Sequence, residues 1–227
     1  MAQLPALPNS SVVEELQRRL LERLADLKGD FSNTCTPPTT NHQPPTAYDA
    51  LLLPATLSLT PSPSNFLPSL LPQLRPNGVV LGYVVGEGSF PELRTACTMA
   101  GFPLPPALPA VQDVGGLLQR AKLALPVVDR DFLTLTFSTP EKLFAFLKTH
   151  HALQRPMGGG LITPRRWQQL LAAYPIRADG KLLLTLELIF FHALQPSAST
   201  PQAAKRGSGK VSLVKILGTE TETPCKT

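Results

Sequence analysis

The sequence predicts an α/β fold, a parallel sheet with helices packed on it, and three observations carry that prediction. Residues 48–53, 65–74 and 79–85 read as strand, helix and strand in the order of a parallel βαβ unit. Both strands are apolar at successive positions rather than alternate ones, the pattern of strands buried on both faces. Farther on, helix-period segments continue to alternate with apolar runs.

Length and composition set the scale. The chain has 227 residues, 43% of them hydrophobic and 16% charged, enough for one core and short for two ordinary domains. The expectation is a single domain over 1–194, with a Pro/Thr linker at 32–47, followed by a flexible basic tail at 195–227. The run from Leu182 to Phe191 is the longest apolar stretch and contains Glu187, whereas a membrane-spanning helix needs ~20 apolar residues, so no membrane span is expected. Met1-Ala2-Gln3-Leu4-Pro5 has neither the basic start of a secretory signal nor the Arg-rich character of a transit peptide, and a cytoplasmic protein is the expectation.

Cys35, Cys97 and Cys225 are far apart and have no His at zinc-ligand spacing, so neither a disulfide scaffold nor a metal site is expected. The net charge is +5, of which the last 27 residues carry +3 (Lys205, Arg206, Lys210, Lys215 and Lys226 against Glu220 and Glu222). The body is close to neutral and lacks the clustered basic face that phosphate neutralisation requires, so no nucleic-acid partner is expected.

The elements follow in order. A helix is expected over 12–28: Ser11 and Glu14 have capping-box spacing, Gly29 suits the C-terminal cap, and Val13, Leu16, Leu20, Leu24 and Leu27 recur at helical spacing. Residues 32–47 hold four prolines, five threonines and no charge, and read as an extended linker with at most a short strand near 33–35. Tyr48-Asp49-Ala50-Leu51-Leu52-Leu53 is a buried strand ending before Pro54. Phe66, Leu67, Leu70, Leu71 and Leu74 mark a helix that Pro68 and Pro72 bend or shorten, and Arg75-Pro76-Asn77-Gly78 is a turn into the 79–85 strand. Helices are expected over 90–100 and 114–121, a strand over 132–137, and helices opened by Thr139-Pro140 and Thr163-Pro164. A long apolar strand over 181–194 closes the domain.

An ordered set of segments carries a family resemblance: Tyr48-Asp49-Ala50-Leu51-Leu52-Leu53, Leu70-Leu71-Pro72-Gln73-Leu74-Arg75-Pro76-Asn77-Gly78-Val79-Val80-Leu81, Gly86-Glu87-Gly88-Ser89-Phe90-Pro91-Glu92-Leu93-Arg94, Val111-Gln112-Asp113-Val114-Gly115-Gly116-Leu117-Leu118-Gln119-Arg120-Ala121, Pro126-Val127-Val128-Asp129-Arg130-Asp131, and Ala204-Lys205-Arg206-Gly207-Ser208-Gly209-Lys210-Val211-Ser212-Leu213. In this order they resemble class I S-adenosylmethionine-dependent methyltransferases. The resemblance is to the branch that holds the malonyl-acyl-carrier-protein methyltransferase and the methyltransferase-like complex I assembly factor. It implies an α/β fold with a Rossmann-like class I methyltransferase sheet of order 3-2-1-4-5-7-6, expected here to be truncated in its N-terminal half, with 48–53 as strand 4 and 79–85 as strand 5. In the family, a glycine-rich loop after strand 1 and an acidic residue after strand 2 hold the cofactor.

Here residues 29–47 alone separate the first helix from the strand-4 equivalent, and between Phe31 and Tyr48 there is no Gly, Asp or Glu. Strands 1 to 3 are expected to be replaced by the linker, with one strand-1 remnant possible. A micromolar site corresponds to about 8 kcal/mol, and hydrogen bonds to charged groups contribute about 1.5–3 kcal/mol each. Losing two or three such contacts would weaken S-adenosylmethionine binding to roughly millimolar. Gly82, Gly86 and Gly88 are read as following the strand-5 equivalent and as turn glycines.

Two functions follow from the resemblance. In one, the chain is a degenerate methyltransferase-family protein, without bound S-adenosylmethionine, acting in binding or assembly. In the other, it is an active transferase whose cofactor site is rebuilt from Leu53, Pro54, Ala55 and Thr56 or completed by a partner. A product of gene decay is a third possibility. Removing strands 1 to 3 would leave 48–53 as an apolar edge, where a protein partner or a second copy is expected to dock, burying Leu51 and Leu53 or Leu52 according to register.

Other candidates weigh toward structure. His150 and His151 point about 100° apart on a helix and cannot share a metal. Asp113, Asp129 and Asp131 have no His or Ser in a triad relation. Trp167 reads as core, and Lys205-Arg206 as a solubilising pair.

Overall fold

The computed structural model describes residues 9–36, 47–54, 62–102, 104–105, 107–149 and 163–198, and of 9–11 and 148–149 the backbone only. The chain opens with α1 (Asn9–Asp26), then β1 (Thr34–Cys35), β2 (Tyr48–Pro54), α2 (Pro63–Leu70), a 3-10 turn (Leu71–Gln73) and β3 (Leu74–Val85). It continues with α3 (Pro91–Met99), α4 (Val111–Arg120), β4 (Ala124–Phe137), α5 (Pro140–Thr149), α6 (Pro164–Ala173) and β5 (Leu182–Leu194).

The strands form one sheet of order β1-β2-β3-β5-β4. β1 to β3 are mutually parallel, and β5 lies antiparallel between β3 and β4. With β1 to β5 standing for family strands 1, 4, 5, 6 and 7, this is the order 1-4-5-7-6 that the resemblance implies. The fold is therefore the Rossmann-like class I methyltransferase type, and β2-α2-β3 is the expected parallel unit.

Helices cover both faces because successive residues of each strand point opposite ways. Leu52, Leu81, Tyr83, Leu133, Leu135, Leu184, Leu186 and Phe190 face one core with Val12, Leu16 and Leu20 of α1, Leu93 of α3, Leu143 and Phe146 of α5, and Leu170 of α6. Leu51, Leu53, Val80, Val84, Ile189 and Phe191 face the other, with Leu67 and Leu70 of α2 and Val114, Leu117 and Leu118 of α4. The central strands bury nearly every position, which explains their unbroken apolar runs.

Several boundaries differ from expectation. α1 begins at Asn9, so Ser11 stands inside its first turn rather than before it, and it ends at Asp26. The helix expected over 65–74 stops at Leu70, where Pro72 confines the chain to a 3-10 turn. The Arg75–Gly78 turn is absorbed into β3 as a bulge: register jumps from Tyr48↔Leu74 to Ala50↔Val79, with Asn77 at φ 63°. β4 is much longer than 132–137, since exposed residues at its start gave no alternating signal. The His150-His151 pair, most of the tail and its Ala204–Leu213 match, and Cys225 lie outside the described residues.

Candidate functional site

In a parallel α/β sheet the carboxyl ends of the strands make the ligand face. At the end of β3 the chain turns through Gly86, Gly88 and Ser89 around Glu187 of β5, a carboxylate only 2% exposed. The Gly88 amide donates to Glu187 Oε2 at 2.6 Å, and the Gly86 amide donates to the Glu187 carbonyl at 2.9 Å. The Ser89 hydroxyl accepts from the Glu187 amide at 2.8 Å and donates to its carbonyl at 3.2 Å. Arg130 Nη1 stands 3.6 Å from Oε1.

The glycines are explained by this packing. A Cβ on Gly86 would lie 2.5 Å from Glu187 Oε2, one on Gly88 2.8 Å from the same oxygen, and one on Gly82 2.7 Å from the Leu53 carbonyl. They make room for neighbouring groups; Gly86 and Gly88 stand in the loop after β3, whereas Gly82, expected as a turn glycine, is a mid-strand residue of β3 paired with Leu53 and Phe191. The loop ends on Phe90, at φ 63° and buried, whose amide donates to the Thr185 carbonyl at 2.8 Å. Glu92, in the first turn of α3, accepts from the Thr185 amide at 3.0 Å and from its hydroxyl at 2.5 Å. The sequence reading missed Glu187 as a site residue. Its signal was there: one carboxylate inside an apolar strand, which burial requires to be partnered.

The carboxyl ends of β1 and β2 are where the resemblance places the cofactor. Leu53 is wholly buried in the core beside α2, so its side chain is committed to packing. Pro54 is half-buried, and Ala55 and Thr56 lie outside the described residues. Cys35 and Thr36 stand at the end of β1. Among the described residues at this end of the two strands there is neither a carboxylate for ribose hydroxyls nor a glycine for close approach of a backbone amide to a ligand. Asp49 is a carboxylate of β2, but it sits at the opposite, amino end.

There Asp49 ties the segment before β1 to the sheet. Its Oδ2 accepts from the Asn33 amide at 2.9 Å and the Ser32 hydroxyl at 3.4 Å, and its Oδ1 pairs with Arg75 Nη1 at 2.9 Å. The Asp49 amide donates to the Asn33 carbonyl at 2.9 Å, and Arg75 Nη2 donates to the Asp30 carbonyl at 2.8 Å.

The remaining candidates are structural. Asp131 pairs with Arg19 at 2.6 Å and Asp129 with Arg23 at 2.9 Å, joining α1 to β4. Arg19 also holds Glu15 at 2.7 Å, and Arg23 lies over the Phe190 ring at 3.6 Å. The Arg18 hydrogen bond, with help from Arg19, holds the Glu15 carboxyl below its usual range despite burial. Asp113 caps α4, accepting from the Ala110 amide at 2.9 Å. Trp167 packs on Phe144 with ring centroids 4.5 Å apart. Burial pushes the Cys97 thiol up and Tyr83 up to about 12, as expected of core groups. Among the described residues no three His, Cys, Asp or Glu side chains are grouped to hold a metal, and no helix is long and apolar enough to cross a membrane.

No protein-family model matches the chain. Among curated relatives, the malonyl-[acyl-carrier protein] O-methyltransferase of Laribacter hongkongensis is 32% identical over 129 residues, covering 55% of this chain and 43% of that protein. The enzyme of the same name from Gallionella capsiferriformans is 36% identical over 90 residues, covering 38% and 31%. The mitochondrial arginine-hydroxylase NDUFAF5 of Dictyostelium discoideum is 26% identical over 166 residues, covering 65% and 37%. By sequence the chain is a relative of this branch of the class I methyltransferase superfamily. The aligned part spans from 31% to 43% of these relatives' own lengths. Among solved structures, the YcgJ protein of Bacillus subtilis overlaps with a TM-score of 0.44 at 9% identity, covering 83% of this chain and 80% of that one. A putative methyltransferase of Bacillus halodurans overlaps with a TM-score of 0.42 at 13% identity, covering 68% and 74%. At that degree of overlap the fold assignment stands on the strand order.

Proposed function

We propose that this methyltransferase-family chain is a degenerate member that does not bind S-adenosylmethionine and acts in binding or assembly. The observation that supports this most is the donor set at the carboxyl ends of β1 and β2. Where a cofactor's ribose needs a carboxylate, the described residues offer Cys35, Thr36, a buried Leu53 and Pro54. The partner, another protein or a second copy, is placed at the β2 edge near Tyr48-Asp49-Ala50-Leu51-Leu52-Leu53. In support, among the described residues β1 pairs with Ala50 and Leu51 of the seven residues of β2, and the Asn33 carbonyl accepts from the Asp49 amide. Leu51, Leu52 and Leu53 serve this chain's own cores, so docking there uses the backbone edge rather than those side chains.

The second reading, an active transferase with a site at Leu53, Pro54, Ala55 and Thr56 or one completed by a partner, is favoured by the methyltransferase names of the relatives. Thermal unfolding with S-adenosylmethionine separates the two. A ligand at ~100 times its dissociation constant stabilises by about 2.7 kcal/mol, which for this size moves the midpoint by several degrees. The proposal expects no shift at about 1 mM S-adenosylmethionine or S-adenosylhomocysteine, and a saturable rise would select the second reading.

A further inference from the structure

We propose that Asn77-Gly78 is a self-modification site: the Gly78 backbone nitrogen attacks the Asn77 side-chain amide, and opening of the resulting ring to isoaspartate releases the end of β5 from β3.

The fold itself brings this reactive pair together, because the bulge in β3 needs each residue for its own reason. Asn77 stands at φ 63°, a left-handed conformation that asparagine tolerates better than most residues. Gly78 is kept glycine by packing, since a Cβ there would lie 2.8 Å from Leu74 Cγ and 2.9 Å from the Arg75 carbonyl oxygen. Asn77 is exposed and Gly78 is buried. This is the chain's one Asn-Gly step; Asn9, Asn33, Asn41 and Asn65 each precede a residue whose side chain hinders approach of the following nitrogen.

The chemistry needs only water. The Gly78 nitrogen forms a bond to Asn77 Cγ as the Cγ–Nδ2 bond breaks, and Nδ2 leaves as ammonia, carrying the proton that the Gly78 nitrogen gives up. Water then opens the five-membered ring. Attack at the former side-chain carbonyl gives aspartate on an unaltered backbone, and attack at the former main-chain carbonyl gives isoaspartate, whose backbone runs through the side-chain methylene.

Two hydrogen bonds to one residue hold the step back. The Asn77 amide donates to the Gln195 carbonyl at 2.9 Å, and the Gln195 amide donates to the Gly78 carbonyl at 2.8 Å. Together they fix the Asn77–Gly78 peptide, which ring closure must turn toward the Asn77 side chain, so the reaction passes through a local opening of this end of the sheet. Isoaspartate lengthens the backbone by one atom between the Asn77 amide and the Gly78 carbonyl. Both groups then no longer reach Gln195 at once, and the β3–β5 ladder is left to begin at Val79 and Leu194.

The full chain, incubated at pH 8 and 37 °C for two weeks and mapped by peptide mass, should gain one dalton in the peptide that holds Asn77, as two products separable by chromatography. A free peptide of residues 74–81 should convert more than about tenfold faster, since the folded chain reacts only from its locally opened form. Hydrogen exchange at the Gln195 amide should be at least about tenfold faster in the isoaspartate form than in the parent. Asn77→Asp, which carries the charge on an unaltered backbone, should keep the parent's protection at Gln195. No mass gain at Asn77 in the folded chain overturns the site. Conversion at the rate of the free peptide overturns the restraint by Gln195, and unchanged Gln195 exchange in the isoaspartate form overturns the release of β5.

Discussion

The Glu187 carboxylate accepts the Gly88 amide at 2.6 Å and lies where a Cβ on Gly86 would stand 2.5 Å from its oxygen, so two glycines and one buried acid fix the loop after β3. Glu187→Ala would leave the Gly88 amide without its partner, at a cost of about 1–3 kcal/mol. Gly86→Ala would force the carboxylate out of place, and overpacking of this kind costs about 1–3 kcal/mol. Chemical denaturation should show both losses, and the double variant should lose less than their sum because Ala at 187 removes the carboxylate part of the clash at 86, leaving the contact with Ile189 Cδ1 at 2.7 Å.

Arg19 is the buried link between α1 and β4. Its side chain is 8% exposed and contacts Glu15 and Asp131 at 2.7 and 2.6 Å. Arg19→Ala removes the buried guanidinium shared by Glu15 and Asp131, leaving them to Arg18 at 2.6 Å and Arg23 at 3.8 Å, and loses the packing of the alkyl stem, so a loss of about 1–3 kcal/mol is expected. Arg18→Ala, on the exposed face of the same helix, should cost clearly less, because water screens its ion pairs. Equal effects at the two positions, measured by urea unfolding, would show that α1 is not anchored through β4.

His192 gives the fold a pH dependence. Burial lowers its pKa from 6.5, with the Asp129 charge opposing. The unfolded chain therefore takes up the proton first: the contribution of His192 is complete above about pH 6.5 and is lost as pH falls through the folded value. Unfolding free energy measured between pH 7.5 and 5 should decline in the parent and decline less in His192→Gln. An identical slope in the variant would assign the dependence to other groups.

Leu51 and Leu52 point into opposite cores, at 0% and 8% exposure. Leu51→Lys and Leu52→Lys should therefore both destabilise severely, by more than about 3 kcal/mol, since each buries an unpaired charge. Loss of the cooperative melt in both variants is the expected result. A stable, merely monomerised Leu52→Lys would mean that this side chain faces a partner rather than α1 and α3.

How much of this was legible in the sequence follows from where each element is buried. The strands over 48–53 and 181–194 were read almost to the residue, because burial on both faces leaves an unbroken apolar run. The α6 boundary was equally plain, with Thr163 accepting from the Arg166 amide at 3.3 Å and Pro164 opening the helix. The first half of β4 was missed because its pattern is set by ion pairs to α1 rather than by a core, and such partners lie more than a hundred residues away. The β1 strand was anticipated only as a short segment near 33–35, since two residues held by Asp49 leave no periodicity. Glu187 looked like an interruption of an apolar run. Its meaning appears only when Gly86, Gly88 and Ser89 are brought beside it.

The central proposal is that this chain does not bind S-adenosylmethionine at the carboxyl ends of β1 and β2, and a binding isotherm for S-adenosylmethionine on the full chain tests it most directly. The account predicts no saturable binding up to about 1 mM, since loss of two or three charged hydrogen bonds removes most of a micromolar affinity. A saturable isotherm with a micromolar dissociation constant would contradict it.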